Sequence, residues 1–362
     1  MSRDSVVSRA ALGLAAAVLW AASTGFAAAA DVSDGGAPPL QTVGPVHVLP
    51  VVKGMYMLTV NGFNVAIQTG PDGTIVVDSG PQSGAQALLA AIKQITDDAP
   101  IRFVIYTNSD ADLVGGGGVL SAAGLSLGDL DEFISRQDSS LAAAGTVAIP
   151  GANSGEGATI VARQGVLQQM ISQDAYASSA LPSETFTRPQ YSFILNDGPI
   201  EVVSMPAAHT DADSVVRFDR QDVVVTGAVF DETHFPVIDL AHGGSIQGEI
   251  DALNQIANTL AFEQVPVLAN TGGTLIIPMR GPLCDEDDLV IYRDMVMTMQ
   301  KRIAYYLRQG KSLRQIEAEH PAQGYESRFG SDTGNWTTDD FIEAVYKSLL
   351  TEQRARHGKV KS

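Results

Sequence analysis

Apolar residues along this chain form short runs that alternate with turn signals, and the first group predicts an antiparallel β-meander. These runs lie at 55–60, 65–69 and 74–77. They are separated by Asn61-Gly62 and by Pro71-Asp72-Gly73, and both sequences are strong turn formers. We therefore expect three neighbouring strands in this part of the chain.

Predicted strands and helices interleave along the rest of the chain. Apolar residues at three- and four-residue steps predict helices at 85–95, 162–173, 246–260, 285–308, 312–319 and 338–350. Short apolar runs predict strands at 101–106, 200–205, 214–218, 222–226, 265–268 and 274–277. Because the strands fall in two successive β-rich halves, the pattern favours a layered α/β architecture with helices outside paired sheets.

The N-terminus has the pattern of a secretory signal peptide, which we assign to residues 1–30. Arg3 and Arg9 precede an uncharged apolar stretch, and Ala28-Ala29-Ala30 stand directly before Asp31. An uncleaved anchor is the alternative, since about 20 apolar residues can span a bilayer. We expect cleavage, hence a secreted or periplasmic protein that is not attached to a membrane afterwards.

The remaining chain divides by composition. Residues 31–45 are rich in Pro and Gly and suggest a linker, and 46–350 form the predicted domain, followed by a tail at 351–362. Within the domain, 121–157 is rich in Gly, Ser and Ala, which predicts an exposed insertion with a short helix at 127–139.

Charge and cysteine content exclude several classes of protein. The formal net charge is −18, and such a surface repels phosphate backbones and anionic lipids, so we expect no nucleic-acid partner. Cys284 is the single cysteine. An intrachain disulfide and a cysteine-based metal cluster are therefore both excluded.

A polar motif follows the predicted strand 101–106. Residues 107–116 read Thr-Asn-Ser-Asp-Ala-Asp-Leu-Val-Gly-Gly, which resembles the Thr-His-x-His-x-Asp-His-x-Gly-Gly signature of the metallo-β-lactamase superfamily with each histidine replaced. Asn108 and Asp110 stand at two histidine positions of the first zinc site, and Leu113 stands at the last histidine. The resemblance implies an α/β fold, a four-layer αββα sandwich of metallo-β-lactamase type.

Other segments extend the resemblance over most of the chain. Asp-Ser-Gly at 78–80 looks like the family's Asp-Thr-Gly turn, and 162–167 is similar to a family helix start. The segment 208–214 matches the His-Thr segment that supplies a first-metal ligand. Thr-Gly-Ala-Val-Phe at 226–230 matches Thr-Gly-Asp-x-Phe, whose Asp bridges both metals. Pro-Met-Arg-Gly-Pro at 278–282 resembles Pro-Gly-His-Gly-Pro, whose His binds the second metal.

The departures from the family pattern remove metal ligands. Zinc hydrolases need nitrogen, carboxylate or thiolate donors and an open position for an activated water. Leu113 has no lone pair, Ala228 lacks the bridging carboxylate, and Arg280 places a fixed positive charge where a dication would lie. We expect no zinc at the second site.

The first site keeps His209, with Asp110 and Asn108 as oxygen donors in the histidine positions, and Asp112, which remains from the second site, could serve as a fourth ligand. One imidazole with oxygen donors suits a weakly held Mg²⁺ or Mn²⁺ better than zinc. Structural roles are equally open, because His209 can be a hydrogen-bonded neutral histidine and Asp112 a helix cap. We therefore expect no cofactor, with a weak single divalent metal on Asp110, Asp112 and His209 as the alternative.

Two functions remain after this comparison. The leading hypothesis is a catalytically inactive, exported homologue whose cleft binds a small molecule or a protein partner. The alternative is a mononuclear metal-dependent hydrolase of an ester, lactone, thioester or amide that uses Asp110, Asp112 and His209. A metal-free acid–base hydrolase on the same residues lacks the Gly-x-Ser-x-Gly elbow of serine hydrolases.

Arg280 also carries a prediction about charge. We expect its guanidinium to pair with Asp112 or Asp110 and so to replace the metal. The carboxylate left over would then raise the pKa of His209.

Overall fold

The strands and helices interleave as expected. The computed structural model describes residues 41–127, 157–173, 175–261 and 273–360, the last five of these by backbone alone. Its strands are β1 (Gln41–Val43), β2 (Val46–Val52), β3 (Met55–Val60), β4 (Phe63–Gly70), β5 (Gly73–Val77), β6 (Ile101–Ile105), β7 (Thr159–Arg163), β8 (Glu184–Phe186), β9 (Gln190–Leu195), β10 (Gly198–Ser204), β11 (Ser214–Phe218), β12 (Val223–Val225) and β13 (Leu275–Ile277). Its α-helices are α1 (Ala85–Ile95), α2 (Ala111–Val114), α3 (Gly117–Ala122), α4 (Gln164–Gln173), α5 (Ile246–Gln255), α6 (Glu286–Arg308), α7 (Leu313–Glu317), α8 (Glu326–Phe329) and α9 (Thr338–Val360).

The strands form two sheets. In the first sheet, β1 to β8 follow one another in chain order, antiparallel from β1 to β5 and parallel from β5 to β8. In the second sheet the order is β13-β12-β11-β10-β9, antiparallel except for the parallel pair β12 and β13. Parallel neighbours end at the same edge, so the residues after β12 and β13 lie side by side.

Three apolar clusters fill the spaces between four layers. The cluster between the sheets includes Ile75, Phe103, Phe193 and Phe218, and the rings of Phe103 and Phe193 lie 5.0 Å apart. A second cluster joins the outer face of the first sheet to α1, α3 and α4, through residues such as Val104, Leu88, Leu120 and Met170. A third joins the second sheet to α5, α6 and α9, through Ile276, Leu253, Tyr292 and Phe341. The predicted αββα sandwich is confirmed.

Most strongly patterned elements are confirmed, and a few boundaries are wrong. Strand β1 lies inside the predicted linker 31–45, and α9 continues past residue 350 into the predicted tail. The predicted helix 162–173 begins only at Gln164, because the residues before it form β7, parallel to β6. The signal peptide, the strand at 265–268 and nearly all of the 121–157 insertion, including all but the first residue of its helix, lie outside the described residues.

No helix within the described ranges has the length and apolar character needed to cross a bilayer.

Candidate functional site

The candidate residues meet at one edge of the sandwich, where several strands end. The motif follows β6, Ala228 follows β12, Arg280 follows β13, and His209 lies in the loop between β10 and β11. Together they line a cleft of about 330 Å³, called here the strand-end cleft. The candidates that line it are Asp110, Asp112, Leu113, His209, Ala228 and Arg280. These residues are far apart in the sequence, and the fold brings them to one edge of the sandwich.

The backbone after β6 is held by a buried carboxyl group. Asp78 has a φ of 62°, and its carboxyl oxygens accept hydrogen bonds from the backbone N–H and the hydroxyl of Thr107 at 2.9 Å and 2.8 Å. Burial raises the pKa of Asp78 to about 7, although both Thr107 bonds lower it. The Asp-Ser-Gly turn therefore positions the start of the motif.

Asn108 supports the motif loop instead of lining the cleft. Its side chain is fully buried, and its Oδ1 accepts a hydrogen bond from the backbone N–H of Asp110 at 3.0 Å. This bond holds Asp110 where the strand-end cleft begins.

His209 and Asp110 contact each other directly. The Nδ1 of His209 lies 2.8 Å from the carbonyl of Val237, to which it donates, and Nε2 lies 3.1 Å from an oxygen of Asp110. The imidazole is 4% exposed and the Asp110 carboxyl 42%. Burial lowers the pKa of His209, but the charges of Asp110 and Asp213 outweigh it and raise the pKa to about 10. The pKa of Asp110 shifts in the opposite direction. Burial raises it, but the charge of His209 outweighs burial and brings the pKa below its ordinary value.

The raised pKa of His209 has the predicted direction but a different cause. The charge that raises it is the Asp110 carboxylate in direct contact, and not a carboxylate left over after Arg280 has paired.

Asp112 does not cap a helix through its side chain. It lies in the first turn of α2, is exposed, and has no hydrogen bond or ion pair within the described part of the chain. The interpretation that the Asp112 side chain caps a helix is therefore wrong. Asp112 presents a carboxylate without a partner among the described residues at the mouth of the strand-end cleft.

Arg280 pairs with a carboxylate that sequence analysis missed. A terminal guanidinium nitrogen lies 3.2 Å from Asp231, which is 3% exposed, and the guanidinium stacks 4.4 Å from the ring centre of Phe63. Among the described residues, neither Asp110 nor Asp112 lies within ion-pair distance of Arg280, so the predicted pairing is wrong. The physical reason is the parallel pair β12 and β13, which places Asp231 beside Arg280.

Other residues of the site also escaped prediction. Asp231 stands directly after the segment that matches Thr-Gly-Asp-x-Phe, so the sequence indicated that it lies near the site. The sequence did not indicate that Asp231 pairs with Arg280. Phe63 and Trp336 line the strand-end cleft, and no motif indicates either of them.

A buried acid lies behind His209. Glu249 of α5 is fully buried, and neither of its carboxyl oxygens has a hydrogen-bond partner among the described residues. Burial raises the pKa of Glu249 well above its ordinary value, Asp213 raises it further, and His209 opposes them. Burial therefore favours the neutral form of this carboxyl group in the folded protein.

Glu249→Met is expected to raise the free energy of unfolding by about 1–3 kcal/mol near neutral pH, because it removes an unsatisfied buried polar group of similar size. A raised folded pKa gives stability that is present below the unfolded value of about 4.5 and lost as pH rises toward the folded pKa. The gain should therefore grow from acid to alkaline pH. Urea unfolding across this range measures it, with Asp251→Met, which removes an exposed acid of the same helix, as control. A gain independent of pH would contradict the buried-acid argument.

Zinc does not fit this site. Within the described ranges, no group of three or more His, Cys, Asp or Glu side chains is arranged to hold a metal ion. Leu113 and Ala228 supply no donor, Arg280 is a fixed cation, and His209 directs Nε2 to Asp110 at ion-pair distance. Metal binding by Asp110, Asp112 and His209 stays a prediction.

Solved structures with this arrangement of layers include two of a sec-alkylsulfatase. The stereoselective inverting sec-alkylsulfatase Pisa1 from Pseudomonas sp. matches with a TM-score of 0.58 and 15% identity. A double mutant of the sec-alkylsulfatase PisA1 matches with a TM-score of 0.60 and 14% identity. Each match covers 84% of this chain and 50% of the sulfatase chain. This chain therefore spans about half the length of those sulfatase chains.

A metallo-β-lactamase from Pontibacter korlensis matches with a TM-score of 0.49 and 16% identity, over 70% of this chain and 99% of that chain. No protein-family model and no curated protein sequence matches this chain. The sulfatase structures have the metallo-β-lactamase fold. This chain, with its two sheets between helical layers, has the same fold.

Proposed function

We propose that this chain is an exported protein of the metallo-β-lactamase fold that has lost zinc-dependent hydrolysis and binds a small ligand in the strand-end cleft. One observation carries the proposal. Apart from Asp112, the side chains at the metal-ligand positions either lack donor atoms or are held by other protein groups, His209 by Asp110 and Arg280 by Asp231. The charges that a dication would balance are thus largely balanced within the protein.

The cleft itself supports a binding role. Its volume of about 330 Å³ suits a small molecule. Apolar walls from Leu113, Ala228 and Met279 stand beside many polar side chains, so the cleft offers both packing surface and groups that fix a ligand's orientation. A protein partner is the other occupant that the sequence leaves open. The net charge of −18 argues against nucleic acid.

The alternative is a mononuclear metal-dependent hydrolase that uses Asp110, Asp112 and His209. It would require Nε2 of His209 to leave Asp110 and coordinate the metal as a neutral imidazole. The exposed Asp112 favours this alternative, because it is an available oxygen donor beside Asp110.

Metal analysis of the full chain, purified without chelators, tests the proposal. We expect well below one Zn, Mn or Fe per chain, and no esterase or lactonase activity that EDTA abolishes. The positive control carries Asn108→His, Asp110→His, Leu113→His, Ala228→Asp and Arg280→His together, which restores the family's ligands and should bind zinc. Near-stoichiometric metal in the unchanged protein, lost together with activity on EDTA treatment, would establish the hydrolase instead.

A further inference from the structure

Charges of opposite sign line the strand-end cleft, and they are not paired with each other among the described ion pairs. Arg280 lies on the β13 side and is paired with Asp231 alone among the described carboxylates. Asp112 lies on the β6 side, exposed and without a partner in the described ranges. Since both side chains line one cleft of about 330 Å³, a small molecule can contact both at once.

Hydrogen-bond donors on the cleft wall also lack acceptors. Nε2 of His209 is buried and lies near Asp110, but its N–H is not aligned for a hydrogen bond there, and the indole N–H of Trp336 is buried without a partner among the described residues. Both side chains line the strand-end cleft. Unsatisfied buried donors are rare because each one costs about 1–3 kcal/mol, so they indicate a ligand that brings acceptor oxygens.

The charges of the site restrict the ligand further. The pairs His209–Asp110 and Arg280–Asp231 are each balanced, which leaves Asp112 as the excess charge. A simple anion would add a second negative charge to the cleft, and a simple cation would leave the donors unsatisfied. A ligand that carries both charges satisfies the carboxylate and the donors together.

We infer that the strand-end cleft binds a small zwitterion of the amino-acid type. Its ammonium group contacts Asp112, which can accept from more than one N–H, and its carboxylate contacts the guanidinium of Arg280 and the donors beside it. Its carbon chain packs against Leu113, Ala228 and Met279. This inference rests on the proposed function, because a dication at Asp112 would occupy the place of the ammonium group.

Trp336 reports binding directly. The chain contains two tryptophans. Trp20 lies in the segment assigned to the signal peptide, so Trp20→Phe leaves Trp336 as the single indole whether or not that segment is removed. After dialysis against EDTA, its fluorescence is titrated with ε-aminocaproate, γ-aminobutyrate and glycine. Caproate, hexylamine and hexanol are the matched compounds that lack one charge or both. Calorimetry on the same samples gives the stoichiometry.

We expect one of the three zwitterions to bind with a single-site stoichiometry and more tightly than the matched compounds, because each of these lacks at least one ionic contact. The expected difference is at least about tenfold, which corresponds to about 1.4 kcal/mol. Asp112→Asn should reduce zwitterion affinity without weakening caproate binding, and Arg280→Gln should do so without weakening hexylamine binding. Asp251→Asn, an exposed acid on α5, is the control and should change neither.

Equal binding of zwitterion, anion and cation, or no saturable response to any zwitterion, would overturn the inference. A different measurement shows whether the proposed function is wrong. In that case metal is bound to the protein before dialysis, and metal analysis detects it separately. The comparison of ligands uses protein whose cleft residues are unchanged. The test therefore remains valid even if Arg280→Gln fails to fold.

Discussion

Asp231→Ala is expected to lower the free energy of unfolding by about 3–5 kcal/mol, because it leaves the partly buried Arg280 without its counter-charge. Asp231 is 3% exposed, and Arg280 is 26% exposed. The same carboxyl group also accepts hydrogen bonds from the backbone N–H and the hydroxyl of Thr233, at 2.9 Å and 2.7 Å. One substitution therefore removes three contacts of a buried group, which urea unfolding at neutral pH measures.

The matched control is Asp219→Ala. Asp219 also pairs with an arginine, Arg217, at 3.1 Å, but it is 36% exposed, and exposed pairs contribute about 0–1 kcal/mol. The double change Asp231→Leu with Arg280→Met should recover much of the loss, because it leaves no buried charge unpaired. A loss from Asp231→Ala as small as that from Asp219→Ala would mean that the pair is solvated.

Gly227→Ala is expected to lower the free energy of unfolding by about 2–5 kcal/mol, the sum of a left-handed backbone penalty and overpacking. Gly227 has a φ of 53°, and a Cβ there would lie 2.2 Å from the hydroxyl oxygen of Thr107. That hydroxyl donates to the buried Asp78, so the clash also disturbs the turn that positions the motif.

Gly62→Ala separates the two contributions. Gly62 has a φ of 86°, but no atom lies within 4 Å of the position that a methyl group would take there, so only the backbone penalty of about 1–2 kcal/mol applies. Thermal and urea unfolding of both variants give the difference. Equal losses at the two glycines would show that Thr107 moves aside freely.

The sequence was most informative where its pattern is long or its motif is specific. Helix α1 was predicted at its observed bounds, and the amphipathic α6 nearly so, since apolar residues at helical steps specify both. The αββα fold followed from ordered motif segments. By contrast, β1 has three residues and is held by pairing with β2, so composition alone suggested a linker. Strand β9 was missed, although Tyr191, Phe193 and Leu195 alternate as buried positions.

The sequence indicated part of the candidate site's membership and none of its ion pairs. The motif segments place Asp110, His209 and Arg280 together because each follows a strand end of the fold. The partner of Arg280 depends on the tertiary neighbours of β13. These neighbours place Asp231, and not Asp112, beside the guanidinium. Trp336 comes from a loop just before α9. No local pattern indicates that this loop reaches the cleft.

The pair between Arg280 and Asp231 makes single substitutions at position 280 costly. Arg280→His, which would supply the histidine of the family signature, would leave a carboxyl group that is 3% exposed without its counter-charge, while Leu113 and Ala228 still offer no ligand. That change alone would therefore lower stability before any metal binding could compensate for it. Under the proposed function, a zinc site in this cleft needs several substitutions made together, since the first of them costs stability and adds only one ligand.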